Sequence, residues 1–224
     1  MKILPAKLSY STDEELIQKI INGETAVFEI LIRRYSPLLY KIARTYGLNH
    51  HDTEDVMQEA HFAAFTGLPS FRHESSYKTW LTRILLHKCF HKLHYGALKY
   101  EEAGTDLITE NSSQMFYSPE RSDPEKKVTN RELAAVLEHS LLQIPLALRT
   151  VFILREVEGF SVAETAELLN ITSTNVKVRL NRAKAMLQKE LEAYYSSAEL
   201  FEFHLRYCDA IVHQVFEKIG SLEG

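Results

Sequence analysis

The side chains best suited to chemistry fall within ten residues, where Ser173, Thr174, Asn175, Lys177, Val178, Arg179, Asn181 and Arg182 follow one another without an acid among them. Arg and Lys can grip phosphate or the O6 and N7 of guanine, and Asn can pair with two atoms of adenine at once. What precedes them matters as much. Ser161 can cap a short helix from Val162 to Leu169, Asn170, Ile171 and Thr172 make a three-residue turn, and a longer basic helix starts at Ser173. Short helix, tight turn and long helix form the helix-turn-helix layout. Ala166 is small enough for two helices to cross closely, and Ile171, Val176 and Leu180 can fill the wedge between them. The competing reading is an ordinary solvated basic helix.

A second constellation lies in the first half. The stretch Phe71, Arg72, His73, Ser75, Ser76, Tyr77 and Lys78 mixes aromatic, polar and basic groups ahead of a helix carrying Arg83 and His87. Unpaired bases need stacking surfaces, hydrogen-bond partners and a positive groove, and this mixture supplies all three. Trp80 reads as core instead, because large aromatics at helical spacing usually are. Upstream, Asp52, Glu54, Asp55 and Glu59 crowd a helix start together with Gln58, and the spacing sets Asp52, Asp55 and Glu59 on one face. Such a face either complements the helix dipole or docks on a basic partner. His87, His91 and His94 invite a metal reading, but no carboxylate or second motif supports one, and histidines also suit a nucleic-acid face. No metal, no cofactor and no catalytic residue is expected, since the chain has no nucleophile–base pair, glycine-rich phosphate loop or HExxH.

The elements that position these groups read as all-α. Apolar residues recur at three and four positions, with one helix beginning after Ser11, Thr12 or Asp13 and ending at Asn22-Gly23. A second runs from Glu24 to about Tyr46, kinked or split by Pro37; a third is capped by Asp52 and reaches about Phe65. A fourth spans about Tyr77 to Leu98. Residues 101–122 lack helical period and hold Gly104, Ser112, Ser113, Ser118 and Pro119, the pattern of a flexible linker. A second domain opens near Asp123, with Pro145 starting the helix that stops at Gly159. Residues 194–218 read as an extra amphipathic helix that either packs on that domain or binds a regulator.

The net charge of −4 over 224 residues conceals a strong asymmetry. Ser75 to Tyr100 carries five basic residues and no acid, as does Ser173 to Lys189, whereas Glu101 to Glu125 holds seven acids against Arg121. Two basic surfaces joined by an acidic strap suit a polyanionic partner better than the total does. Cys89 and Cys208, far apart, give no disulfide framework and read as buried thiols. With no long apolar run and no signal-peptide pattern in Met1 to Pro5, a cytosolic protein without membrane insertion is expected.

The residues Ile144-Pro145, Arg149, Val151-Phe152, Leu154-Arg155-Glu156, Glu158-Gly159, Ser161, Val176-Lys177, Arg179-Leu180 and Arg182-Ala183-Lys184 resemble the fourth region of extracytoplasmic-function sigma factors of bacterial RNA polymerase. Glu54-Asp55-Val56 with Gln58-Glu59 resembles that family's polymerase-binding helix, and Thr79-Trp80-Leu81 with Arg83-Ile84 its promoter-melting segment. The resemblance spans about residues 12–192 and implies two small helical domains: 1–100 for polymerase docking and the minus-ten element, 123–192 for the minus-thirty-five element, with 101–122 as linker and 193–224 as extension. It implies core RNA polymerase, promoter DNA and an anti-sigma factor as partners, with Asp52, Asp55, Gln58 and Glu59 on the polymerase. After Arg83 the sequence departs from the family, with His87 and His91 in place of the usual Asn and Asp. Apart from the resemblance, a stand-alone helix-turn-helix regulator is the alternative, followed by an interaction protein that sequesters an anti-sigma partner.

Overall fold

A computed structural model describes residues 11–103 and 124–194, all of whose regular elements are helical. Four helices, α1 (Asp13–Ile21), α2 (Phe28–Arg44), α3 (His50–Gly67) and α4 (Tyr77–Ala103), build the first half. The second half comprises α5 (Pro124–Gln143), α6 (Leu146–Phe152), α7 (Val162–Leu169) and α8 (Ser173–Tyr194). Residues 101–103, expected in the linker, continue α4. Residues 104–122, Cys208 and the expected C-terminal helix lie outside the described residues.

Local chemistry sets each start. Thr12 and Glu15 form a reciprocal capping box on α1. Asp13 receives the Arg34 guanidinium at 2.6 Å and the Tyr35 hydroxyl, which tie α1 to α2. Asn49, rather than the expected Asp52, caps α3: its Oδ1 accepts the Asp52 amide at 2.8 Å, and its Nδ2 donates to the Asp52 carboxylate at 2.9 Å. Pro37 does not split α2. Its cost of about 3 kcal/mol is met by packing on both sides of it, where Leu31, Leu38, Leu39 and Ile42 are buried.

The core of the first half stacks Leu16, Leu31, Leu39 and Ile42 against Val56, Ala60, Leu81, Leu85 and Cys89. Burial pushes the Cys89 thiol up to about 12, an unreactive state at neutral pH. On the inner side of α3, burial draws His61 down to about 4, and the neutral ring meets Ser36 Oγ at 3.2 Å. This apolar cluster does not end at the domain boundary. It runs on through Leu48 into Leu141, Ile144, Ile153, Leu154, Phe160 and Leu168 of the second half. Across the seam, Arg44 Nη2 donates to Glu138 at 3.0 Å with both residues buried, and Arg44 Nη1 donates to the Leu48 carbonyl. After α6 the chain widens into one π-turn, Ile153–Val157, which buries Ile153 and Leu154 at the seam.

Replacing Glu138 by Ala removes the carboxylate from a buried guanidinium and should cost about 3–5 kcal/mol, whereas Arg44→Met with Glu138→Leu should recover most of that loss. Urea unfolding of the three proteins checks this, and a double variant no more stable than the single one contradicts it.

Candidate nucleic-acid interface

The helix-turn-helix forms where the sequence places it. Ser161 Oγ accepts the Glu164 amide at 3.1 Å and Glu164 Oε2 accepts the Ser161 amide at 2.8 Å, a closed capping box on α7. Its end turns at Asn170, which adopts the left-handed conformation with φ +51°, so that the Ile171 amide reaches the Ala166 carbonyl at 3.0 Å. Thr172 Oγ1 then accepts the Asn175 amide at 3.2 Å and starts α8. Val151, Ala166 and Val176 are buried between the helices, with Ile171 and Leu180 packed against them. That seating leaves Ser173, Thr174, Lys177, Val178, Asn181 and Arg182 exposed on the far face. Asn175 and Arg179 are half-buried and joined, Arg179 Nε donating to Asn175 Oδ1 at 3.0 Å.

The second constellation is gathered at the start of α4, with one exception. Arg72, His73 and Ser76 are exposed, Phe71, Ser75 and Lys78 half-buried, and Arg83 and His87 exposed one and two turns further on. Tyr77, expected on this surface, is buried at 2% exposure, its ring 5.4 Å from Tyr35 and 5.8 Å from Trp80. It holds the loop from beneath. Phe71 lies 4.8 Å from Trp80 and 4.5 Å from His73, so aromatic surface continues from the core to the loop apex, where His73 takes φ +57°. Trp80 in turn lies so close to Gly67 that a Cβ there would meet the indole at 3.2 Å.

Three groups in the first two turns of α4 face acceptors on the other half of the chain. Lys78 Nζ donates to the Glu158 carbonyl at 2.6 Å and lies 4.2 Å above the Phe160 ring. Thr79 Oγ1 donates to Glu164 Oε1 at 3.1 Å, and Arg83 pairs with Glu167 at 2.5 Å. Glu158 also pairs with Lys41 at 3.2 Å. The Ser161 hydrogen bonds, helped by Thr79 and Lys78, hold the Glu164 carboxyl below its usual range, so it is ionised in this contact. Sequence patterning could not find these partners, because each joins residues 80 or more positions apart.

The acidic face of α3 is likewise engaged by α4. Lys92 Nζ lies 2.7 Å from Asp52 and 3.5 Å from Asp55, and Lys88 lies 3.1 Å from Glu59. His51, Asp52 and Asp55 bring one ligand atom each within 4.8 Å of one another. The cation between the two carboxylates is Lys92, whose pKa is raised chiefly by its hydrogen bond to Asp52. Gln58 and Glu59 remain exposed, and one turn on stands Phe62, 70% exposed, an apolar residue that the sequence reading missed on this polar face. His87 and His91 approach each other at 3.0 Å through their Nε2 atoms, bordering a groove of about 370 Å³ with Val56, Glu59, Lys88 and Lys92.

Comparison with known proteins separates the two halves in the same order. Residues 31–96 match the model of Sigma-70 region 2, and residues 134–187 match Sigma-70 region 4. The ECF RNA polymerase sigma-E factor of Haemophilus influenzae is 27% identical over 184 residues, covering 81% of this chain and 96% of that protein. The ECF RNA polymerase sigma factor SigW of Bacillus subtilis is 29% identical over 182 residues, covering 78% of this chain and 94% of that protein. Among solved structures, the sigma factor RpoE in complex with the anti-sigma factor NepR from Bartonella quintana has a TM-score of 0.61 at 21% identity. It covers 74% of this chain and 96% of that one. Two sigma regions on one helical chain define a promoter-directing initiation factor. The chain belongs to the extracytoplasmic-function sigma factors.

Because Asn170 holds a left-handed backbone, Asn170→Val should cost about 1–2 kcal/mol while Asn170→Gly leaves stability within a few tenths. Thermal unfolding with binding to duplex DNA reads both, and equal tolerance of Val and Gly argues against the turn as the element that sets α8.

Proposed function

We propose that this sigma factor reads the minus-thirty-five element with Ser173, Thr174, Asn175, Lys177, Val178, Arg179, Asn181 and Arg182, and captures the melted minus-ten strand on the α4 surface. The observation that carries the first assignment is the exposed, acid-free face of α8 from Ser173 to Arg182, seated by buried Ala166 and Val176. A helix so held can enter a major groove while its inner side stays packed. On α4, Arg72, Lys78 and Arg83 supply positive charge, Ser75, Ser76 and His87 polar partners, and Phe71 with His73 the stacking surface. Tyr77 acts as the floor of this site.

Asp52, Asp55, Gln58 and Glu59 form the surface for core RNA polymerase, and exposed Phe62 adds an apolar anchor next to them. Residues 1–100 and 123–192 then act as separate readers of one promoter, with 101–122 as the tether. The polymerase performs nucleotidyl transfer; the chain contributes recognition and strand capture and is not itself an enzyme. It works in the cytoplasm. An anti-sigma factor is its expected regulator, in line with the NepR complex of the Bartonella quintana RpoE. A stand-alone regulator would have no use for an acidic docking face beside a strand-capture loop.

Run-off transcription with purified core polymerase tests the reading: initiation should be promoter-specific and depend on this chain. Arg182→Ala should cost about 1–3 kcal/mol at one promoter position and relax its specificity, whereas Lys177→Ala should weaken all sequences and lower the salt slope by about one. DNA binding without initiation, or unchanged promoter preference in both variants, defeats it.

A further inference from the structure

We infer that Val178 selects a thymine in the minus-thirty-five element through its C5-methyl group, while Asn175 holds Arg179 toward a phosphate instead of reading adenine. The inference deepens the reading of α8 given above and rests on it. Among the described residues four large hydrophobic side chains are exposed, and Val178, at 42%, is the one that stands on α8. A single exposed valine is ordinary on a protein surface, so its position has to carry the argument. Helix formation gains nothing from it there, since β-branched residues are poorer helix formers than Ala, Arg or Lys. At about 100° per residue, Val178 lies about 200° around α8 from Val176, which is fully buried with Val151 and Ala166. It therefore points straight away from the packed side of α8, toward where a groove floor would be met.

The neighbours of Val178 divide by the same geometry. Thr174, Asn181 and Arg182 stand three or four positions from it and are exposed, so they share its outward stripe. Lys177 and Arg179 fall on opposite flanks of that stripe, from which a helix lying in the major groove meets the two phosphate walls. Arg179 Nε donates to Asn175 Oδ1 at 3.0 Å. A bidentate pair with adenine needs that same oxygen to accept from N6 while the amide nitrogen donates to N7. Asn175 is half-buried on the flank and its oxygen already accepts from Arg179, so it acts as a positioning residue and leaves the Arg179 Nη groups to meet phosphate. Val178 has neither donor nor acceptor. The one apolar feature that base edges display in the major groove is the thymine methyl, and cytosine has none at that place.

Uracil scanning tests this, since uracil differs from thymine only by the missing methyl. The holoenzyme formed from the full chain and core polymerase first selects its preferred duplex from promoter fragments randomised at minus-thirty-five. Each thymine of that duplex, on either strand, is then replaced in turn. One replacement should weaken binding about fourfold, the effect of losing one buried methyl, and Val178→Ala should abolish the difference at that position. Asn175→Ala should weaken binding to all sequences alike and lower the salt slope by about one, with discrimination at every adenine kept. Added to Arg179→Ala, it should weaken binding no further. If no thymine is sensitive to uracil, or if the sensitivity survives Val178→Ala, the methyl assignment is overturned. Loss of discrimination at a single adenine in Asn175→Ala overturns the positioning role. A pool that returns no preferred sequence defeats the underlying reading of α8, and this inference with it.

Discussion

The buried pair of Arg44 and Glu138 is the constraint around which the two halves are organised. A guanidinium removed from water at the end of α2 needs a counter-charge, and Glu138 of α5 supplies it from 94 positions along the chain, while the Leu48 carbonyl accepts from Nη1. Once that pair is made, Leu48 and the α4 core residue Cys89 share one apolar cluster with Ile153, Leu154 and Phe160. Phe160 then lies beneath Lys78, and α7 is brought against α4. The polar contacts of Lys78, Thr79 and Arg83 with the second half are thus the outer rim of an interface whose centre is apolar and ionic.

The rim and the centre of this interface differ in strength. Rim ion pairs such as Arg83 with Glu167, partly exposed on both sides, contribute little to stability and are readily exchanged. The buried centre holds the halves together until a partner with larger contact area replaces it.

Much of this was legible in the sequence, and the reason differs by element. The helix-turn-helix is written in short-range terms, with the Ser161–Glu164 box, the left-handed Asn170 and the small Ala166 all acting within a few residues, so its bounds were readable without tertiary information. Where two cap residues compete three positions apart, as Asn49 and Asp52 do, composition cannot rank them; the amide that needs an acceptor decides. From sequence Tyr77 reads as a DNA contact because a loop aromatic can stack on a base, but Tyr35 from α2 and Trp80 one turn along α4 enclose it. The seam between the halves has no local pattern at all, since Arg44 and Glu138 look like ordinary solvated charges until their helices are packed. Phe62 was visible as an apolar residue among polar ones, a signal that a heptad reading of α3's outer face would have caught.

The distance between the halves, with and without a promoter, tests this packing directly. Spin labels on exposed Gln18 and Gln188, with Cys208 replaced by Ser and Cys89 left buried, report it by double electron–electron resonance. One short, narrow distance is expected in the free chain, and a distance longer by tens of ångströms in the complex with core polymerase and promoter DNA. A broad, long distribution in the free chain, or the same short distance in both states, would contradict it.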